Sequence, residues 1–523
     1  MFQRHARQGD GHHAARNEDS LLNSIASRIR KGSMWIAGSS AVMNALGMIS
    51  TVVMARLLVP ADFGVVAIGM TVLAIVQAVT NMSLGQALIH LDEPDDRHLD
   101  CAWTLNMLRG LLLGGIIAAL GPFLADLYGD ERLKLVLAIF GGSVFISGLA
   151  NTKLAMLERD LLFHQRFIMQ TSSKLVLVII SIAVAWQTRS YVALVAGTVA
   201  SQVTQVLVSY AVAPRIPRLR LKEAGALLSF SWWLTLTEIM ATINVRFEPL
   251  VIGKFLTIHT LGLFTVATNL SSLPTRETTR PLSATLFPAF RQLRDQPERL
   301  RRAYTRAQTL ISAIALPCGI LMAVLAKPLV LLVLGEKWSE VVPILQVLAI
   351  VAASMTLGAA LQPLAMAQNR NDLLFRRSLQ GLLTRVPLTI CGLIFGGLQG
   401  YLIVRSCLVV IVVLFNKFIV KEIIGIPVVA QLQHNWRTIA AALCMALLGF
   451  VIVPVFDFGP SFAGLIAQIA VVGGICALTY LALLFGLWAL QDRPEGPEND
   501  VLDAINIVHR KALKVIGILA KQN

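Results

Sequence analysis

The chain carries about fourteen apolar stretches of roughly 20 to 28 residues, each long enough to cross a bilayer as a helix. No other feature constrains it as tightly. Inside hydrocarbon every backbone N–H and C=O must find a partner within the protein, so only helices and closed barrels span it. Barrel strands run near ten residues and alternate in polarity, which these stretches do not. The expected fold is therefore an all-α polytopic membrane protein of about fourteen transmembrane helices. Of the 523 residues, 56% are hydrophobic and 14% charged. Soluble globular chains are about 25% charged. A soluble enzyme and a nucleic-acid module are excluded on this ground.

The apolar segments fall at 33–57, 64–89, 103–124, 134–153, 168–187, 190–212, 225–253, 260–287, 307–334, 341–367, 378–396, 399–420, 437–456 and 462–490. Short turns such as 60–64, Gly396-Gly397 and 457–460 join pairs of segments. Longer charged connections join the next pairs. The net charge of +15 is concentrated in those connections and in both termini. Six Lys and Arg stand in the N-terminal tail, four at 215–222, six at 291–306 and five in the C-terminal tail. The positive-inside rule then places both termini in the cytoplasm. Most of the basic charge is thus an orientation signal, and no nucleic-acid partner is needed to explain it. One inner connection, 90–100, is acidic instead. A divalent metal site there is less expected than an ordinary solvated charge run.

The resulting organisation is a cytoplasmic tail (1–32), an N-lobe of helices 1–6 (33–212) and a basic linker (213–224). A C-lobe of helices 7–12 (225–420), helices 13–14 (421–490) and a cytoplasmic tail (491–523) follow. The polar N-terminus lacks a short apolar core with a cleavage site, so it reads as a tail before an uncleaved first span. Its histidines, His5, His12 and His13, read as part of a disordered tail. A basic amphipathic segment, 505–521, could lie on the membrane surface or be poorly ordered. The six cysteines lie in or beside apolar stretches without a CxxC pair, which suits packing and neither disulfides nor metal.

Pieces of the first six segments recur in the next six. Arg56 to Gly64 parallels Lys254 to Gly262, each a turn with a basic residue and a glycine eight apart. Leu154-Ala-Met156 with Asp160-Leu-Leu-Phe163 parallels Leu364-Ala-Met366 with Asp372-Leu-Leu-Phe375. These matches imply two pseudosymmetric six-helix lobes plus two C-terminal helices. Two such lobes suit a central cavity and alternating access by rocking.

Charge inside hydrocarbon is costly unless it faces a cavity, pairs, or snorkels. The in-span set is Arg109, Glu238, Arg246, Glu248, Arg276, Glu277, Arg280, Arg385 and Arg405, with Arg56 at the outer end of the first span. An apolar cargo has no use for so many arginines. Phosphate does, because the guanidinium fork matches its oxygens. Counting 1.5 Å per residue from the turn near 254–260 puts Glu238 and Arg276 at a similar depth, roughly 24 Å in. They are expected to pair. Arg276 and Arg280 share a helix face, and Pro274 and Pro281 should kink or loosen that helix. Arg385 lies deeper than the ends of its span. Arg109 and Arg405 are close enough to span ends for snorkelling, and Arg246 with Glu248 suits a local pair. Trp103, Trp186, Trp232, Trp233, Trp338, Trp436 and Trp488 read as interface anchors.

Four stretches carry a family resemblance: 55–64 (ARLLVPADFG), 157–163 (LERDLLF), 286–290 (LFPAF) and 334–339 (LGEKWS) leading into Pro343-Ile-Leu. Through them residues 30–490 resemble the bacterial polysaccharide-export and O-antigen-type flippases of the multidrug/oligosaccharidyl-lipid/polysaccharide superfamily. The resemblance implies fourteen helices, two lobes and a V-shaped alternating-access cycle. It implies an undecaprenyl-diphosphate-linked oligosaccharide as cargo, flipped from the inner to the outer leaflet of the bacterial cytoplasmic membrane. It implies polysaccharide polymerase and export machinery as neighbours in the pathway. Cavity arginines that hold the diphosphate are carried over to Arg56, Arg276, Arg280 and Arg385. From the in-span charges themselves, Glu238 joins the site as the partner of Arg276, and Glu238 or Glu248 is the group a coupling cation would titrate. No cofactor is expected, and coupling to a proton or sodium ion stays open. The alternatives are a cation-coupled drug exporter, which a basic cavity disfavours, and a membrane polymerase or assembly scaffold. A polymerase would show a large loop or a catalytic domain, and a scaffold leaves the arginines unexplained.

Overall fold

The structure, a computed structural model, describes residues 42–80, 95–159, 163–222, 232–491 and 498. The N-terminal histidines and the 505–521 segment lie outside the described residues. Among the described residues there are helices and turns but no strand, and each of the fourteen apolar segments overlaps a helix. Nine of these helices are long and apolar enough to cross a membrane. One of the nine, Asn371–Ile424, contains two of the expected segments. The chain divides into two compact units, Met1–Arg246 and Phe247–Asn523.

The first unit contains α1 (Val42–Leu57), α2 (Pro60–Thr80), α3 (Asp96–Tyr128), α4 (Arg132–Gly148), α5 (Phe163–Thr188) and α6 (Val192–Val212). Small residues set its tightest packing. A side chain at Gly114 would run into the carbonyl of Gly141, and one at Gly148 into that of Asn106. Lipid gives apolar helices no hydrophobic reason to associate, so close backbone approach through a Gly110-x-x-x-Gly114 face supplies the contact instead. Gly129, at φ 67°, ends α3 in the left-handed conformation.

The turn expected at 60–64 falls instead at Leu58-Val59, and the Asp-Phe-Gly stretch after Pro60 is the first turn of α2. Asp62 is buried and accepts the backbone N–H of Val59 at 3.3 Å. It also lies 3.6 Å from Arg132, whose guanidinium stands over the Tyr191 ring and grips Asp130 at 2.6 Å. Three short turns of this unit are thereby tied together. Burial pushes the Asp130 carboxyl up, but hydrogen bonds and charge from Arg132 outweigh it and hold it below the usual range.

At its described end the acidic connection is exposed at Asp95, Asp96 and Arg97, as a solvated run would be, and departs from that at Asp100. Asp95 caps α3 by accepting the N–H groups of Arg97 and His98. Asp100 is buried and takes Arg215 of the basic linker at 2.8 Å. Acid and base from two connections on one side neutralise each other.

The second unit begins within α7 (Trp232–Phe255). It continues through α8 (Ile258–Gln292), α9 (Pro297–Val324), α10 (Val341–Met355), α11 (Asn371–Ile424), α12 (Val428–Ile452) and α13 (Phe462–Leu490). Short helices Ala326–Val333 and Leu361–Ala367 flank α10. Leu316, Ile320, Met445, Val472 and Tyr480 join α9, α12 and α13 in one core, and the Tyr480 hydroxyl donates to the Ala313 carbonyl at 2.7 Å. In the 286–290 stretch, Phe290 packs against Tyr304 in a second core with Leu364 and Val420.

One expectation changes here. Trp338 is no interface anchor: it is fully buried, in a turn where Gly335 has φ 95°, so the 334–339 turn is a packing device. The helix carrying Pro274 and Pro281 is continuous from Ile258 to Gln292. Thr278 and Thr279 there donate their hydroxyls back to the carbonyls of Pro274 and Thr275.

Candidate functional site

The 54-residue α11 is two helices joined at Gly397, whose φ of 55° and ψ of −137° suit only glycine. The two arms fold back on each other. A side chain at Gly392 would meet the backbone of Gly400, eight residues on, which a straight helix would hold about 12 Å away. The Gly396-Gly397 turn expected from the sequence is therefore present, as a helical hairpin.

This hairpin brings Arg385 of one arm beside Tyr401 and Arg405 of the other. Glu248 of α7 completes the group. Its Oε1 accepts Arg385 Nη2 at 2.6 Å and Nε at 3.0 Å, and lies 3.1 Å from Arg405 Nη1. Glu248 is 8% exposed, Arg385 21% and Arg405 18%. One carboxylate thus answers two guanidiniums, leaving the group net positive. Arg405 Nε is buried and has no hydrogen-bond partner among the described residues. The Arg385 guanidinium stands 5.2 Å from the Phe247 ring centroid, and Tyr401, fully buried, packs edge-on against Phe264. Tyr401 also lies in the field of Glu248, Arg405 and Arg385.

Glu248, Arg405 and Arg385 stand eight, eight and twelve residues from their nearest short turns, or about 12 to 18 Å along their helices. That is far from either end of a 30 Å core. Aromatic walls and apolar helices lower the local dielectric, so a second anion would feel these arginines strongly. Two guanidiniums sharing one carboxylate give the group the chemistry to attract a further anion.

The other expected site residues lie elsewhere. Arg276 is partly exposed and approaches Glu277 at 3.3 Å. Arg280 is exposed one turn on. Both sit on α8 about 18 Å or more beyond Phe264 along the helix, too far to join the Glu248 group. Arg56 is exposed at the end of α1. Glu238 lies on α7, but its side chain is outside the described residues, and so is its expected pair with Arg276.

Three in-span expectations are corrected. Glu248 pairs with Arg385 and Arg405, while Arg246 is exposed. Arg405 turns to that carboxylate instead of snorkelling. Arg109 does not reach water with its whole head either: its Nε and Nη1 are buried without a hydrogen-bond partner among the described residues. Lys174 and Lys417 were missed. Lys417 is 1% exposed, and its Nζ has no partner among the described residues. The signal was available, since both stand in apolar segments. Among the described residues no His, Cys, Asp and Glu group together in a way that could hold a metal.

Comparison with known proteins places this architecture. An uncharacterized membrane protein in the cps region of Klebsiella pneumoniae is 24% identical over 455 residues, 86% of this chain and 94% of the relative. The lipopolysaccharide biosynthesis protein WzxC of Escherichia coli K12 is 22% identical over 409 residues, 77% of this chain and 83% of the relative. Among solved structures, the lipid II flippase MurJ in an inward closed conformation superposes with a TM-score of 0.66 at 15% identity, covering 87% of this chain and 99% of that one. The last likeness establishes a common fold. Residues 53–343, more than half of the chain, match the family described as polysaccharide biosynthesis protein, and with its membrane helices and its fold the chain belongs to that family.

Proposed function

We propose that this protein is a flippase that moves an undecaprenyl-diphosphate-linked oligosaccharide from the inner to the outer leaflet of the bacterial cytoplasmic membrane. The observation that carries the reading is the Arg385–Glu248–Arg405 group, a net-positive receptor held deep within apolar helices. The family membership supports it, as do the names of WzxC and MurJ, which concern lipopolysaccharide biosynthesis and a lipid-linked cargo.

Fourteen crossings with both termini in the cytoplasm complete the proposal, the two arms of α11 counting as separate spans. Arg385 and Arg405 offer planar forks to the diphosphate. Glu248 holds them when cargo is absent and yields when the more highly charged diphosphate arrives. Arg276 and Arg280, partly exposed on α8, offer a further cationic station along the route. No covalent bond is made or broken. The arginines offset the cost of taking a diphosphate out of water, and the polyprenyl tail stays in lipid. A cationic drug would meet like charge here, which disfavours the exporter reading.

The test is reconstitution in liposomes with a defined polyprenyl-diphosphate oligosaccharide and an assay of which leaflet the glycan occupies. The proposal expects protein-dependent transfer, abolished in Arg385→Gln/Arg405→Gln. Absence of transfer by the wild-type protein overturns it.

A further inference from the structure

The connection after α6 runs from Ala213 to Leu221 without helix or strand, and it is pinned to the start of α3. Arg215 donates to the carbonyl of Asp96 at 2.7 Å and to Asp100 Oδ1 at 2.8 Å. The backbone N–H of Arg218 donates to Asp100 Oδ1 at 3.1 Å, and that of Arg220 to Thr104 Oγ1 at 2.9 Å. As the connection advances, its contacts move from Asp96 to Thr104, about 12 Å up α3. It therefore climbs along the helix toward the apolar segment and does not hang free in water.

At the same height Trp103 donates its indole N–H to the Tyr210 hydroxyl at 3.0 Å. A hydrogen-bonded Trp–Tyr pair at the end of two spans marks a membrane–water boundary. What the connection exposes there is mixed. Ile216 is 91% exposed, Leu219 72% and Leu221 51%. Arg218 and Lys222 are exposed, and among the described residues no carboxylate pairs with either side chain. Arg215 is already neutralised and Arg220 is half-buried, so the exposed surface combines two cations, Arg218 and Lys222, with three bare aliphatic side chains.

Bare aliphatic side chains at a boundary favour acyl chains, and cations beside them favour phosphate headgroups. A water-facing loop gains nothing from exposing Ile and Leu alternately with Arg and Lys. A rival partner, an acidic protein segment, would use the charges but leave the aliphatic side chains unexplained at bilayer height.

We propose that residues 216–222 form a binding surface for anionic phospholipid of the inner leaflet, with Leu219 and Leu221 in the acyl region and Arg218 and Lys222 on the headgroup. Asp100 and Thr104 are the posts that hold the segment at this height. The surface fixes the N-terminal unit against the inner leaflet at the point where the chain leaves α6. The inner-leaflet assignment rests on the topology proposed above.

The experiment uses the full chain with its native cysteines replaced and a fluorophore on Leu219→Cys, in nanodiscs of phosphatidylcholine doped with brominated lipid. Quenching by brominated phosphatidylglycerol should exceed quenching by brominated phosphatidylcholine. Arg218→Gln/Lys222→Gln should shift the phosphatidylglycerol response by on the order of 30-fold, about fivefold per charge, and leave the phosphatidylcholine response unchanged. Asp100→Asn should lower quenching by both lipids. Equal quenching by the two lipids, or an unshifted response in the double variant, overturns the proposal. So does displacement by millimolar inorganic phosphate, which would make the site one for soluble anions. Melting curves for each variant separate lost binding from lost fold. Flipping is read separately by the leaflet assay, so failure of transport and failure of lipid binding are told apart.

Discussion

Replacing Glu248 with Gln should expose how the arginine pair is balanced. The carboxylate receives three guanidinium contacts between 2.6 and 3.1 Å on one oxygen. Removing one partner of a buried ion pair costs about 3 to 5 kcal/mol, because the other charge stays buried alone. Two features reduce that figure. Each guanidinium is about a fifth exposed, and the amide oxygen still accepts a hydrogen bond. A cost of about 2 to 3 kcal/mol remains. The assay is the melting temperature of the detergent-solubilised protein, which should fall by several degrees. Glu248→Gln/Arg405→Gln restores the original difference between cations and anions and should recover part of the loss. Binding should move the other way: with the competing carboxylate gone, a soluble diphosphate should stabilise Glu248→Gln more than wild type. If Glu248→Gln melts like wild type, or the double variant loses the sum of two independent penalties, the charge-balance reasoning fails.

Other consequences follow from single positions. Gly397→Ala forces a side chain into a glycine-only conformation, costing about 1 to 3 kcal/mol, and should lower the melting temperature and impair flipping together. Gly114→Val should part α3 from α4 at a cost of about 1 to 3 kcal/mol, visible as a lower melting temperature, while Gly115→Val, with open space around it, should change little. Trp338→Ala empties a fully buried site and should cost about 3 to 5 kcal/mol, whereas Trp186→Ala, 75% exposed, should leave the melting temperature near wild type.

The helices were legible because apolar length alone specifies a span, and the α11 hairpin was legible because two adjacent glycines interrupt an apolar run. Arg385 was legible as a charge with no reason to be in lipid. Its partners were not. Glu248 stands 137 residues away, and only the return of α11 and the packing of α7 bring the two into contact. Depth counting along single helices cannot see that. Trp338 was misread for a related reason: tryptophan near a helix end suits both an interface and a core, and only tertiary packing separates the two. Asp100 read as solvent-facing because its partner, Arg215, lies in a different connection.

The central claim is that Arg385 and Arg405 carry an anionic lipid-linked cargo. The measurement that tests it most directly is the initial rate of leaflet transfer of a polyprenyl-diphosphate oligosaccharide in liposomes, for wild type and for Arg385→Gln/Arg405→Gln at equal insertion. The account predicts transfer by wild type and none above the protein-free rate by the double variant. A folded, inserted double variant that flips at the wild-type rate would contradict it.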